Sequence, residues 1–335
     1  MVIETRQPTA PLRVEDMFNS AVAAFAICAA WELGALDELH DTGKVNAHEF
    51  ADRRGLDRTS TLAMFRSLAA IGAVERKGLD VTVGPAFTDV RHYRSFFHWL
   101  GRGSADLFRA MADVMPLENR IGRFYHRDAA AIAYACREIN EITYEPAFRA
   151  VLDGIDVAPG AGVADLGCGG GARLASLLDR YPGTHGIGVD IAAPAVEVAR
   201  ANLDEAGHGN RATAVVDDAL RLEPRPEFAD VELVTCFMMG HDFWPRESCV
   251  RSLRRLREAF PAARRLVIGD ATRTPDGPDT DLPVFTLGFE VGHDLMGTFI
   301  PTVADWESVF PDSGWTHLRT HRIDMLVGET IFELG

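Results

Sequence analysis

At 335 residues, 47% of them hydrophobic, the chain exceeds the size at which one core usually stops growing, so two domains or one domain with a helical extension are expected. Asp and Glu outnumber Lys and Arg by 49 to 34, and the formal charge of −15 repels phosphate backbones and anionic lipid, which argues against nucleic acid or a membrane as partner. Five scattered cysteines, Cys28, Cys136, Cys168, Cys236 and Cys249, match no zinc or redox spacing and fit a reduced, cytoplasmic compartment.

The N-terminus lacks a basic segment leading into an apolar signal core, and its most apolar run, residues 21–33, contains Glu32 and is too short to cross a bilayer. Residues 13–39 read as one or two Ala-rich helices. The following stretch, VNAHEFADRRGLDRTSTLAMFRSLAAIGAVERKG, has the pattern of a helix, turn, helix and wing. Asn46 and Asp57 are its caps, and Leu62, Phe65, Leu68 and Ile71 form an apolar stripe at helical spacing. Its arginines are interspersed with acids, so a dimerisation and substrate-lid role is expected over DNA reading. Residues 89–152 are again mostly helical and rich in aromatics, among them Tyr93, Phe96, Trp99, Phe124 and Tyr125. These either pack one domain on the next or, as a group, roof a small-molecule pocket.

DGIDVAPG at 153–160 breaks the last of these helices and marks a domain boundary. A βα series follows, with strands GVADL, HGIGVD, TAVVDD, VELVTCF and RLVIGD and helices over 172–181, 193–206 and 247–260. Alternation of this length requires right-handed crossovers and a largely parallel, doubly wound α/β sheet. WTHLRTHR and TIFEL are expected to add a terminal antiparallel hairpin.

The strongest signal is DLGCGGG, which places Asp165, Gly167, Gly169 and Gly171 between a strand and a helix. Glycines there permit a sharp turn and close approach of a ligand. Asp190, ending the next strand, suits the two hydroxyls of an adenosine ribose, and Asp217 and Asp218, ending the third, suit the adenine. GCGGGA also satisfies a loose dinucleotide pattern. Asp165 stands where it would meet the ammonium group of a methionine moiety, and no basic residues compensate a pyrophosphate, so S-adenosylmethionine is the expected cofactor.

With these motifs the chain resembles the class I S-adenosylmethionine-dependent small-molecule methyltransferases that carry an N-terminal winged-helix dimerisation domain. The resemblance implies a Rossmann-like, doubly wound seven-stranded methyltransferase sheet. It divides the chain into a winged-helix-like dimerisation domain at 1–100, a helical connector and substrate lid at 101–155, and a cofactor-binding domain at 156–335, with a homodimer as the expected state. CFMMGHDFWPRE, GDATRT, FTLGFEVGHDLMG and ENRIGRFYHRDA further resemble the 2-oxo acid C-methyltransferases of peptide-antibiotic biosynthesis.

That closer resemblance implies a divalent ion, iron(II) in preference to zinc, on His241, Asp242 and His293. Two imidazoles and a carboxylate match a facial triad, although the usual spacing differs. Glu290 and Asp294 are alternative carboxylates. The ion would chelate a 2-oxo acid such as phenylpyruvate or 4-methyl-2-oxovalerate and stabilise the enolate whose C3 accepts the methyl. Arg127 would hold the substrate carboxylate, or else form a surface salt bridge, and Trp99, Met239 and Phe289 would be pocket walls or simply core. Two other readings remain: a metal-free O-methyltransferase with His241 as general base on a phenol, and a cofactor-sensing winged-helix regulator.

Overall fold

A computed structural model describes residues 13–274, 282, 284–323 and 329–335. Residues 1–12, on which the expectation about an export signal partly rests, lie outside these. The chain divides into two compact units, Met1–Ile139 and Asn140–Gly335.

The first unit opens with α1 (Val14–Glu32) and α2 (Ala35–Thr42), separated where Gly34 adopts φ +76°. A short strand, β1 (Lys44–Asn46), leads into α3 (Ala47–Arg54) and α4 (Arg58–Ala70). Both expected caps form. The Asn46 side chain accepts from the amides of His48 and Glu49, and Asp57 accepts from that of Ser60, satisfying donors that a helix start leaves open. Phe65 and Leu68 are fully buried with Phe50 and Leu36. Antiparallel strands β2 (Val74–Lys77) and β3 (Asp80–Val83) form the wing, and β3 also pairs with β1. Short helices follow: α5 (Phe87–His92), α6 (Arg94–His98), a π turn over Trp99–Gly103, α7 (Ala105–Arg109) and α8 (Met111–Val114). The helix α9 (Ala129–Ile142) ends the series and runs past the division between the units.

The second unit begins with α10 (Tyr144–Leu152) and then runs through β4 (Gly162–Leu166), α11 (Ala172–Arg180), β5 (His185–Asp190), α12 (Ala193–Glu205), β6 (Ala212–Val216), β7 (Val231–Phe237), α13 (Arg246–Ala259) and β8 (Arg265–Ala271). It closes with α14 (Thr286–Met296), α15 (Val303–Val309), β9 (His317–Arg322) and β10 (Glu329–Leu334). The sheet order is β6-β5-β4-β7-β8-β10-β9. The first five strands are parallel, and β10 lies antiparallel between β8 and β9. This is the expected doubly wound seven-stranded sheet with its terminal antiparallel pair. Every residue of β4 is buried, as a central strand covered on both faces requires.

The order reverses between β4 and β7, so the loops after these strands flank a crevice at the carboxyl edge of the sheet, where such folds bind ligands. Among the described residues no single helix is long and apolar enough to cross a membrane.

Candidate active site

The glycine loop after β4 builds one side of the crevice. Gly167, Gly169 and Gly171 all have positive φ, at +67°, +51° and +80°. At Gly167 a Cβ would come within 2.6 Å of Met239 Sδ, so glycine is required both for the turn and for packing against the loop after β7. Asp190 fastens this loop from the end of β5: Oδ2 accepts the Gly169 amide at 2.9 Å and Oδ1 accepts that of Ala192 at 2.9 Å. Beyond β6, Asp217 accepts the Asp218 amide and pairs with Arg225, while Asp218 caps the next turn through the Leu220 amide. The expected cofactor residues thus lie at the carboxyl ends of three adjacent strands. Burial pushes the thiol of Cys168 in the glycine loop up to about 12, which disfavours the thiolate.

Asp165 is 2% exposed. Burial pushes its carboxyl up to about 6, against the opposing pull of Arg173 and of Thr235, whose hydroxyl donates to Oδ1 at 2.6 Å. Arg173 and Thr235 carry no motif signature and escaped the sequence reading. An arginine in the first turn of a helix that starts at the glycine loop was the available clue.

The other side of the crevice centres on His241, on a 3-10 turn over Gly240–Phe243 after β7. Asp270, in β8 and 0% exposed, accepts from it twice: Oδ1 from the ring Nδ1–H at 2.9 Å and Oδ2 from the backbone amide at 2.5 Å. Since a carboxylate only accepts, the bond fixes the imidazole tautomer and leaves Nε2 as the basic nitrogen. Gly240 makes room for this pair, because a Cβ there would meet Asp270 Oδ2 at 2.8 Å. Asp270 lies within GDATRT and carries no motif signature of its own; an acid within an otherwise apolar buried strand was the available signal.

His293, on α14, is buried beside His241, with ring centroids 5.2 Å apart and planes at 86°. Its Nδ1–H donates to the Phe289 carbonyl at 2.7 Å, and the buried Phe289 ring packs 4.0 Å from it. Met239, half-buried, meets the glycine loop as described. Trp99 and Arg127 belong to the first unit, where the guanidinium lies 5.1 Å from the centroid of the buried indole. Arg127 lines a cavity of about 480 Å³ there with Arg123, Tyr125 and Ile132. Burial lowers its pKa without neutralising it.

The expected metal triad is corrected. His241 and His293 are neighbours, but Asp242 is an exposed residue following a buried one. Although part of Asp242 reaches solvent, desolvation pushes its carboxyl up, with His241 opposing and Asp270 adding to the effect. Glu290 and Asp294 are both drawn to Arg273, and Glu290 also accepts the Thr274 amide. Among the described residues no group of three or more His, Cys, Asp or Glu side chains is arranged to hold an ion. The expected triad of His241, Asp242 and His293 is therefore not assembled for iron(II) or zinc among the described residues.

A reversed parallel sheet with a glycine-rich turn after its central strand is the fold of the class I S-adenosylmethionine-dependent methyltransferases. The "Methyltransferase domain" family model matches residues 163–260. "Methyltransferase ungE'" of Aspergillus campestris is 46% identical, covering 98% of each chain. "Indolepyruvate C-methyltransferase" of Streptomyces griseus is 31% identical over 87% of this chain and 85% of that one. "Mitomycin biosynthesis 6-O-methyltransferase" of Streptomyces lavendulae is 28% identical over 77% and 76%. The O-methyltransferase NcsB1 from neocarzinostatin biosynthesis, solved with S-adenosylmethionine and 2-hydroxy-5-methyl naphthoic acid, superposes with a TM-score of 0.67 at 19% identity, covering 98% and 99% of the chains. The chain belongs to the S-adenosylmethionine-dependent methyltransferases and uses that cofactor.

O-methyltransferases recur among both sequence relatives and solved structures. Together with a donor set that forms no chelating triad, they overturn the expectation of a metal-chelated 2-oxo acid methylated at C3.

Proposed function

We propose that this methyltransferase acts on a hydroxyl oxygen of a small aromatic molecule, with His241 as general base. The observation that carries the reading is the hydrogen bond from His241 Nδ1 to the buried carboxylate of Asp270. It holds one tautomer, presents Nε2 to an acceptor hydroxyl, and stabilises the imidazolium formed when the proton arrives. Bound S-adenosylmethionine supplies the electrophilic methyl. Asp190 would hold its ribose, Asp217 and Asp218 its adenine, Asp165 its ammonium group, and the turn at Gly167, Gly169 and Gly171 would let the backbone approach it. Phe289 and Met239 would form the apolar side of the acceptor site, while Arg127, in the first unit's own cavity with Arg123, would take an acidic group there. Trp99 would then act by supporting the Arg127 guanidinium.

Relatives named for mitomycin, nocamycin and puromycin support a role in specialised antibiotic biosynthesis. The exposed apolar side chains of Val14, Phe18, Val22 and Phe25 on α1 support a homodimer formed through the first unit. The test is incubation with S-adenosylmethionine and a panel of phenols, hydroxyaryl acids and 2-oxo acids, with the new methyl located by NMR. A methyl found only on carbon would overturn the proposal.

A further inference from the structure

The chain leaving β8 reaches both sides of the crevice. Asp270 holds His241, and beyond it Arg273 turns to α14, the helix that carries Phe289 and His293. Arg273 Nη2 donates to Asp294 Oδ1 at 2.6 Å and Nη1 to Asp294 Oδ2 at 3.3 Å, a forked contact that fixes the plane of the carboxylate as well as its distance. Nη1 also lies 3.5 Å from Glu290 Oε2, while Glu290 Oε1 accepts the Thr274 amide at 2.8 Å. The Arg273 amide donates to the Pro301 carbonyl at 2.9 Å, past the end of the helix. Asp294 sits in the last turn of α14, where the peptide dipoles disfavour a carboxylate, so helix formation does not explain an acid there. An isolated surface ion pair would contribute little. Here one guanidinium engages two carboxylates a helical turn apart, and the Glu290 side chain is only 15% exposed, which limits screening by solvent.

Phe289 and His293 stand a turn apart on α14, and Glu290 and Asp294 occupy the adjoining stripe, so whatever holds the two acids also sets where the two rings stand. Both rings lie against His241, with centroids 6.1 Å and 5.2 Å from that of its imidazole. We propose that Arg273 is a positioning residue for the acceptor, an inference that rests on reading the crevice beside His241 as the acceptor site. Through Glu290 and Asp294 it holds α14 at a fixed spacing from β8, and so fixes the apolar wall that receives an aromatic ring. One strand end then orients the base through Asp270 and the wall through Arg273. A wall that is already in place costs nothing to order when the acceptor binds, so its loosening weakens acceptor binding more than it slows transfer from a bound complex.

The experiment measures steady-state kinetics on the panel compound that the wild type turns over fastest, beside calorimetric affinity for S-adenosylhomocysteine. In Arg273→Gln the KM for that compound should rise about 5–20-fold, with kcat within about threefold and S-adenosylhomocysteine affinity within about twofold of the wild type. Combining Arg273→Gln with Asp294→Asn should raise KM by less than the product of the two single effects, because both remove the same contact. Arg273→Lys, which keeps the charge and loses the fork, should show a smaller rise in KM and serves if the Gln variant does not fold. Independently of any acceptor, amide hydrogen exchange over Phe289–His293 in the S-adenosylhomocysteine complex should quicken about tenfold in the same variant. A methyl found on carbon would overturn the hydroxyl reading alone, since KM for that compound still reports on the wall. Unchanged KM or unchanged exchange overturns the proposal, and so do parallel losses of kcat and S-adenosylhomocysteine affinity, which would make Arg273 a general support of the crevice.

Discussion

Asp270 Oδ1 lies 2.9 Å from His241 Nδ1, and the other oxygen of the same carboxylate holds the His241 backbone amide. One buried acid therefore sets both the position of the turn after β7 and the tautomer of its histidine. Asp270→Asn keeps the shape but replaces an anion with a neutral amide that can present a donor to Nδ1. Turnover should drop by about 10²–10⁴-fold, with affinity for S-adenosylhomocysteine retained. Steady-state kinetics beside calorimetry checks this, and parallel losses in both would mean that the substitution disrupts the crevice as a whole.

Asp165 gives a pH dependence with a definite sign. Burial raises its carboxyl from 3.8 to about 6, so between those values the folded protein retains a proton that the unfolded chain releases. Its contribution therefore favours folding at low pH and is lost as pH rises through about 6. Binding an ammonium needs the carboxylate, which reverses the dependence for the ligand: affinity for S-adenosylhomocysteine should strengthen as pH rises through about 6 and then level off, with a limiting slope of about one decade per pH unit. Calorimetric titrations across that range, repeated on Asp165→Asn, provide the check. The variant should bind more weakly and without the slope; a slope that persists would locate the titration in another group.

Asp190 tests the nucleoside half of the site. Its two oxygens already hold the Gly169 and Ala192 amides, so Asp190→Ala removes both the ribose acceptor and a fastening of the glycine loop. Affinity should fall by about 1.5–3 kcal/mol for S-adenosylhomocysteine and by a similar amount for 5′-methylthioadenosine, since both keep the ribose. Unchanged affinity in a folded variant would refute the ribose assignment.

The sheet was legible in the sequence because its signals are local. β4 is an apolar run, the three glycines follow it at once, and the acids Asp190 and Asp217 fall at or just past the next two strand ends. The winged-helix unit was legible for the same reason, through Asn46, Asp57 and the stripe from Leu62 to Ile71. The pairing at the crevice was not, because it depends on which residues from distant segments meet. Asp270 stands 29 residues after His241, and only the parallel pairing of β7 with β8 brings them together. His241 and Asp242, adjacent in sequence, instead differ in burial. Reading them as joint ligands followed resemblance of motif strings, which carries no information about where the side chains go.

The last prediction separates the two buried histidines. Both use Nδ1 as a donor, but to acceptors of different kind: His241 to the carboxylate of Asp270, His293 to the backbone carbonyl of Phe289. When an imidazole takes up a proton, the carboxylate gains a full charge interaction in a site with little water, whereas the carbonyl gains only that of a dipole. Asp270 therefore orients and charge-stabilises His241, whereas His293 packs against Phe289. His241→Ala should reduce kcat by about 10²–10⁴-fold with little change in cofactor affinity. His293→Gln should alter KM for the acceptor more than kcat, because it changes the wall and not the proton acceptor. Wild-type turnover should persist after exhaustive chelation, as follows from base catalysis on oxygen. Steady-state kinetics of both variants, together with turnover of the chelated wild-type protein before and after adding back divalent ions, makes the comparison. A collapse of kcat in His293→Gln equal to that in His241→Ala, joined to ion-dependent recovery of the chelated protein, would show that the two imidazoles act as one ligand pair and would displace His241 as the base.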